Sequence, residues 1–113
     1  MAKIKDLQTG VEQEFELAGG KPLSIGRKRD CDLVFPPICP EDQSLANQFL
    51  RETGASSISR KHGVISQENG DTQFVNAGSL GTFYKGRKED VIKLNDGDIF
   101  TLGPDGYEVQ YID

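Results

Sequence analysis

The chain is organised around residues 56–62, Ser56-Ser57-Ile58-Ser59-Arg60-Lys61-His62. This stretch holds the one histidine of the sequence together with three serines, an arginine and a lysine. Arginine offers a planar fork of donors, lysine a point charge and serine a short neutral donor. Side chains of these types, placed side by side, are what a protein presents to an anionic group such as a phosphate.

The size and composition of the chain are those of one soluble globular domain. It has 113 residues, of which 35% are apolar and 27% are charged, enough for a core without disulfides or metals. Cys31 and Cys39 form no Cys-x-x-Cys pair, so we expect reduced thiols, a cytoplasmic location, no metal and no cofactor. The charged N-terminus and the absence of any long apolar stretch predict no signal peptide and no membrane insertion.

The charge balance bears on the kind of partner. A net charge of −5 argues against binding to nucleic acid, which requires a broad basic surface. Cations nevertheless cluster locally at residues 27–29, 60–61 and 85–88. Local clusters of this kind are compatible with a small anion site on an acidic protein.

Hydrophobic periodicity predicts an all-β fold. Val11, Gln13, Phe15 and Leu17 alternate with glutamates at positions 12, 14 and 16. This period of two is typical of a half-buried strand. Asn69-Gly70 is the strongest hairpin signal in the sequence. Short apolar runs separated by turn residues predict strands at 2–7, 11–17, 23–26, 31–35, 63–67, 72–75, 82–84, 91–94, 99–102 and 107–111. About ten or eleven short strands indicate a β-sandwich or barrel.

One segment has the periodicity of a helix instead. Leu45 and Phe49 are four residues apart, which places them on one face of a helix. Pro40 is acceptable in the first turn, and Gly54 is a plausible C-terminal stop. We therefore predict one amphipathic helix at about residues 40–52.

Four ordered motifs resemble those of the forkhead-associated (FHA) domain, a β-sandwich that binds phosphothreonine. They are Gly26-Arg27, Ser59-Arg60-Lys61-His62, Ser79-Leu80-Gly81-Thr82 and Leu94-x-x-Gly97-Asp98-x-x-x-Leu102-Gly103. The resemblance covers nearly the whole chain. It implies one FHA-like domain over residues 1–113, with a helical insertion at about residues 38–55.

The resemblance also implies roles for individual residues. Those expected to bind the phosphopeptide are Arg27, Ser59, Arg60, Ser79 and Leu80. Those expected to structure the loops are Gly26, His62 and Gly81. Arg27 would be the charged partner of the phosphate and Ser59 a hydroxyl donor, while the His62 ring would bond a loop backbone and hold Ser59 in place.

Two features depart from the family pattern. Leu80 stands where the family usually has an asparagine that contacts the peptide backbone, so peptide affinity is expected to fall or specificity to shift. The insertion lies in the loop that leads to Ser59, a connection that is normally short. Long loops often carry function. The alternative, which we favour over a direct role in ligand binding, is that the helix is decoration that packs Leu45 and Phe49 against the sandwich.

The leading interpretation is a non-catalytic module that binds phosphothreonine proteins or peptides in signalling. Such domains often belong to larger signalling or secretion proteins. A second interpretation keeps the fold but makes the interaction independent of phosphate, through the helix and the sheet faces. An enzyme is the least favoured interpretation, because one histidine without a nucleophile or carboxylate partner does not make a catalytic centre.

Overall fold

The structure, a computed structural model, describes residues 2–17 and 21–113. Within these ranges the chain forms two packed β-sheets and one inserted α-helix. The strands are β1 (Ala2–Asp6), β2 (Glu12–Phe15), β3 (Leu23–Gly26), β4 (Leu33–Val34), β5 (Gly63–Glu68), β6 (Asp71–Asn76), β7 (Thr82–Tyr84), β8 (Arg87–Glu89), β9 (Val91–Lys93), β10 (Ile99–Leu102) and β11 (Glu108–Ile112). The helix α1 spans Gln43–Thr53, and a 3-10 turn follows at Ala55–Ser57.

The two sheets have different strand orders. One contains six strands in the order β2-β1-β11-β10-β7-β8, and the other contains five in the order β4-β3-β5-β6-β9. Neighbouring strands are antiparallel except β3 and β4, which pair in parallel. The predicted β-sandwich with a helical insertion is confirmed.

Apolar residues from both sheets meet in one core. The rings of Phe74 and Phe100, one from each sheet, lie 5.1 Å apart between centroids, a distance typical of a packed aromatic pair. Ile4, Ile25 and Ile65 are also fully buried. Each of these residues faces inward from its strand, as expected when successive side chains of a strand point to opposite faces of the sheet.

The hairpins follow the local sequence closely. Asn69 and Gly70 both have positive φ, 54° and 82°, as a type I′ turn requires, and they join β5 to β6 as predicted. Lys85 and Gly86 form a second turn with φ of 51° and 77°. This turn leads into β8, which the sequence analysis missed because Arg87–Glu89 has no apolar alternation.

The helix begins later than predicted and buries a different face. The Asp42 side chain accepts a hydrogen bond from the Leu45 N–H at 3.0 Å, so Asp42 is the N-cap and Pro40 lies outside the helix. Ala46 is buried and Leu50 packs against the core, whereas Leu45 is 56% exposed. The expectation that Leu45 packs on the sandwich is therefore wrong, and Phe49 is only half-buried.

The end of the insertion is fixed to the sandwich. Gly54, with φ of 82°, ends the helix as predicted and lies against the Asp105 backbone. The Ser57 hydroxyl donates a hydrogen bond to the Asp105 carboxylate, and Ile58 is buried in the core. The chain is thus held in place immediately before Ser59.

No helix in residues 2–17 or 21–113 combines the length and the apolar character that crossing a membrane requires.

Candidate functional site

The loop after β3 and the loop after the insertion are joined by backbone hydrogen bonds. The Arg27 N–H donates to the Ser59 carbonyl at 3.1 Å, and the Lys28 N–H donates to the Arg60 carbonyl at 3.0 Å. Gly26 permits this approach, because a Cβ atom at that position would lie 2.1 Å from the Arg60 carbonyl oxygen. Arg27, Ser59 and Arg60 are therefore neighbours although they are far apart in sequence.

His62 connects Ser59 to the loop between β6 and β7. Its ring is fully buried. Nδ1 accepts from the Ser59 N–H at 3.0 Å, and Nε2 lies 2.9 Å from the Gly81 carbonyl oxygen. Because Nδ1 is an acceptor, Nε2 carries the proton and donates to Gly81. The neutral ring thus fixes two loops of the site with its two nitrogens.

The environment of His62 favours its neutral form. Burial lowers the pKa of the His62 imidazole below its usual value, and the hydrogen bond to the Gly81 carbonyl opposes this only in part. Desolvation disfavours the charged ring. A second proton would also remove the acceptor for the Ser59 N–H.

Asn76 orders the β6–β7 loop, and the sequence analysis did not single it out. Its amide oxygen accepts from the Gly78 N–H at 3.2 Å and from the Thr82 hydroxyl at 2.9 Å, while its amide nitrogen donates to the Gly78 carbonyl at 3.1 Å. Asparagine at the end of a strand, followed by small residues, is the signal that could have revealed this role.

Gly78 brings the same loop against Ser59 and His62. A Cβ atom at Gly78 would lie 2.8 Å from His62 Nδ1 and 2.9 Å from the Ser59 hydroxyl oxygen. Ser79 and Leu80 follow and are exposed, Leu80 by 49%. Neither side chain hydrogen-bonds to Arg27 or Ser59 in the part of the chain that the structure describes. Their loop is adjacent to Ser59, and both side chains are exposed to solvent.

Positive charge surrounds these loops. Arg27 is half-buried and Arg60 is exposed. Among the described residues neither arginine forms an ion pair, whereas Lys28 pairs with Asp30 at 3.3 Å. Two guanidinium groups without carboxylate partners provide donors for an external anion.

Lys88 is a further cation at this site that the motifs did not indicate. A Cβ atom at Gly81 would lie 2.4 Å from Lys88 Cε, so the Lys88 side chain lies across the loop that His62 binds. Lys88 belongs to β8, the strand that was missed, and only the pairing of β8 with β7 brings it there.

The donor set is unsuited to a metal. Within residues 2–17 and 21–113, no group of three or more histidine, cysteine, aspartate or glutamate side chains could hold a metal ion. The site is instead cationic, with hydroxyl and guanidinium donors.

Comparisons with known proteins agree with the fold. The chain is similar to the FHA-1 domain of Mycobacterium tuberculosis Rv1747, with 18% identity, a TM-score of 0.68 and coverage of 98% of this chain and 93% of that chain. It is similar to the N-terminal FHA domain of S. cerevisiae Rad53p in complex with a phosphothreonine peptide, with 17% identity, a TM-score of 0.69 and coverage of 98% and 91%.

A third similar structure is Mycobacterium tuberculosis EmbR in complex with a low-affinity phosphopeptide. The identity is 20%, the TM-score is 0.66, and 98% of this chain matches 24% of that chain. A search of curated proteins found no match.

The fold and the converging loops define a β-sandwich with a cationic site built from inter-strand loops. A family model for the FHA domain matches residues 23–103, which is well over half of the chain. The chain belongs to the FHA domain family.

Proposed function

We propose that residues 1–113 form one non-catalytic domain that binds phosphothreonine proteins or peptides. The observation that carries this proposal is the neutral, buried His62 ring that holds Ser59 and Gly81 together. Nearby are the guanidinium groups of Arg27 and Arg60, which form no ion pair with any residue that the structure describes. This arrangement leaves fixed donors and positive charge facing solvent. The domain is a phosphorylation-dependent interaction module in signalling, either alone or within a larger signalling or secretion protein.

The chemistry of a phosphate matches the donors of the site. A phosphothreonine carries a charge of about −1.5 to −2 at neutral pH and three acceptor oxygens. Arg27 supplies the charged hydrogen bonds, the Ser59 hydroxyl supplies a neutral one, and Arg60 supplies a further contact. Recognition of phosphorylated motifs by arginine is an established binding mode of FHA domains.

The hydrogen bonds of the site support binding rather than catalysis. A serine nucleophile needs a base within hydrogen-bonding reach of its hydroxyl. Here His62 Nδ1 is occupied by the Ser59 N–H, and Nε2 is bonded to the Gly81 carbonyl. The imidazole therefore has no free nitrogen with which to activate the Ser59 hydroxyl.

Ser79 and Leu80 are proposed to contact the peptide backbone next to the phosphothreonine. Their loop is fixed to Ser59 through Gly78 and His62, and both side chains are exposed. Leucine offers only apolar contact, whereas asparagine would add neutral hydrogen bonds. Binding of the peptide backbone is therefore proposed to be weaker than in family members that have asparagine.

The second candidate is an interaction that does not depend on phosphate. Leu80 and Leu45 are 49% and 56% exposed, and exposed leucines of this kind suit protein contact. The free thiols of Cys31 and Cys39 suit a cytoplasmic partner under either proposal.

A degenerate peptide array separates the two candidates. The same peptides are offered with a central phosphothreonine, phosphoserine or unmodified threonine. We expect signal from the phosphothreonine set and several-fold less from the phosphoserine set, since one buried methyl contributes about 0.8 kcal/mol. Equal signal from phosphorylated and unmodified peptides would contradict the proposed function and favour the second candidate.

A further inference from the structure

The turn between β10 and β11, residues 103–106, contacts the loop that carries Gly81. The Gly103 N–H donates a hydrogen bond to the Gly81 carbonyl oxygen at 3.0 Å. His62 Nε2 lies 2.9 Å from the same oxygen. A carbonyl oxygen has two lone pairs and can accept from both donors, so the turn and the imidazole fix this loop together.

The same turn is bonded to the end of the insertion through Asp105. The Ser57 hydroxyl, on a side chain that is only 5% exposed, donates to the Asp105 carboxylate. A hydrogen bond from a hydroxyl to a carboxylate is stronger than one between two neutral groups. Ser57 precedes Ser59 by two residues, so this bond restrains the backbone that presents the Ser59 N–H to His62.

Two glycines allow the turn and the insertion to pack this closely. A Cβ atom at Gly103 would lie 2.6 Å from Ser57 Cβ, and one at Gly54 would lie 2.3 Å from the Asp105 carbonyl oxygen. Both distances are too short for a Cβ atom, and both glycines have positive φ, 89° and 82°. The contact therefore involves the backbones of both segments as well as the Ser57–Asp105 pair.

The turn is itself held by the sandwich. The Leu102 N–H donates to the Tyr107 carbonyl at 2.9 Å, and the Gln8 side-chain amide donates to the Gly106 carbonyl at 3.0 Å. Tyr107, directly after the turn, is fully buried in the core. Because the turn is fixed at both of its ends, it can in turn fix the segments that are bonded to it.

We propose that Asp105 is a positioning residue for phosphopeptide binding. Asp105 acts through Ser57, and thereby sets the position of the Ser59 hydroxyl relative to the loop 76–81, rather than by contact with the phosphate. The effect on affinity rests on the proposed function, because it requires a phosphothreonine at Ser59. The effect on the two loops is a property of the protein alone.

Amide hydrogen exchange by NMR tests the positioning without any peptide. The variants are Asp105→Ala, Asp105→Asn and Ser57→Ala. Asp71→Ala is the matched control: it removes an exposed carboxylate and the same charge, at the ends of β5 and β6 that lie away from the site. Thermal melts check that each variant folds.

In Asp105→Ala, we expect the amides of Ser59 and Gly103 to exchange about threefold to tenfold faster, the range for loss of one hydrogen bond. The amides of Ile65 and Phe74 in the central strands should accelerate less. A purely structural role would instead accelerate the central amides as much as those of the two loops, because only the global stability would have changed.

Affinity is measured by calorimetry with one phosphothreonine peptide from the array and its unphosphorylated form. Asp105→Ala should bind the phosphopeptide about threefold to tenfold more weakly, as expected when one neutral hydrogen bond from Ser59 is lost. Removal of a negative charge would by itself strengthen binding of an anion, so charge does not explain a weakening. Asp71→Ala should bind as the unmodified chain does.

Two further variants identify the Ser57–Asp105 bond as the cause. Asp105→Asn should restore the affinity to within about twofold, because its amide oxygen can accept the Ser57 hydroxyl. Ser57→Ala should match Asp105→Ala, and the double variant should lose no more than either single variant. Because Asp105→Ala leaves a buried hydroxyl without an acceptor, Ser57→Ala keeps the test decisive if Asp105→Ala is unstable.

Unchanged affinity in folded Asp105→Ala and Ser57→Ala, with phosphate dependence intact in the unmodified chain, would overturn this inference alone. Equal acceleration of the loop and central amides would also overturn it. Equal binding of both peptides by the unmodified chain would contradict the proposed function, and with it the effect of Asp105 on affinity.

Discussion

At the scale of single residues, the neutral imidazole of His62 controls the shape of the site. The ring is buried and accepts the Ser59 N–H while donating to the Gly81 carbonyl. Protonation would cost both desolvation and the Ser59 hydrogen bond. The stability of the folded protein therefore depends on a pH at which the His62 ring stays neutral.

This dependence predicts a loss of stability in mild acid. Burial lowers the folded-state pKa of His62 below the unfolded value of about 6.5. As the pH falls below about 6.5, the unfolded chain binds a proton that the folded chain resists, so the free energy of unfolding decreases until the pH passes the folded pKa. Urea titrations between pH 7.5 and 5 should show this decrease.

The matched variant is His62→Gln, which cannot titrate. Its free energy of unfolding should be lower throughout but should change less between pH 7.5 and 5, since most carboxylates titrate below this range. An identical pH dependence in both proteins would show that His62 is not the group responsible.

Leu80 stands where the family resemblance leads us to expect an asparagine. Its side chain is 49% exposed, so Leu80→Asn should change the free energy of unfolding by less than about 0.5 kcal/mol. Asparagine could add one or two hydrogen bonds to the peptide backbone, each netting about 0.5–1.5 kcal/mol. We expect a few-fold tighter binding of a phosphothreonine peptide, mainly through slower dissociation.

Calorimetry and surface plasmon resonance measure this effect, with Leu45→Asn as the same exchange at another exposed leucine. Weaker binding by Leu80→Asn would mean that Leu80 makes an apolar contact with the ligand that the asparagine loses.

At the scale of elements, the insertion has two parts with different roles. Residues 43–53 form the helix, in which Ala46 is buried and half-buried Leu50 packs against the core. Gly54, Ala55 and Ser57 anchor the chain to the core and to Asp105. The second part positions Ser59, and Leu50 of the first part lines a cavity of about 180 Å³ beside Arg27.

Replacing residues 38–53 with a short Gly-Ser loop, while keeping Gly54 and Ala55, should therefore leave a folded sandwich. The loss in free energy of unfolding should stay below the about 1.5–3 kcal/mol expected for a fully buried leucine, because Leu50 is only half-buried. Phosphate-dependent binding should persist, because Arg27, Ser59 and Arg60 lie outside the replaced segment. Amide NMR spectra and peptide titrations measure both effects, and global unfolding would show that the helix belongs to the main core.

The elements also show what the sequence could predict. Strands with a clear period of two and turns such as Asn69-Gly70 were predicted because local chemistry determines them. The inward face of α1 was not, since Leu45 and Leu50 are equally apolar and only tertiary packing decides which is buried. β8 carries no apolar pattern and is recognisable only through its pairing with β7.

At the scale of the whole molecule, the order and pairing of the strands bring together the candidate site residues, which are far apart in sequence. Ordered motifs pointed to Arg27, Ser59 and His62, and the pairing of β3 with β5 in one sheet brings their loops together. Asn76 and Lys88 were missed because their roles depend on contacts with Gly78 and Gly81. The cavity beside Arg27 was equally beyond sequence reasoning, since its walls come from separate segments that meet only in the folded chain.

The central claim is that the guanidinium group of Arg27 binds the phosphate of a phosphothreonine. Its most direct test is a calorimetric titration of the unmodified chain, Arg27→Ala and Arg51→Ala with one phosphothreonine peptide and its unphosphorylated form. Arg51 is an exposed arginine in the last turn of α1 and serves as the control.

A hydrogen bond to a charged group contributes about 1.5–3 kcal/mol, so Arg27→Ala should weaken binding of the phosphopeptide about tenfold or more. Its melting temperature should hardly change, because the Arg27 side chain has no ion-pair partner among the described residues. Arg51→Ala should bind normally, and the unphosphorylated peptide should bind none of the three proteins well. Equal affinity of the unmodified chain for both peptides, or unchanged affinity in a folded Arg27→Ala variant, would contradict the claim.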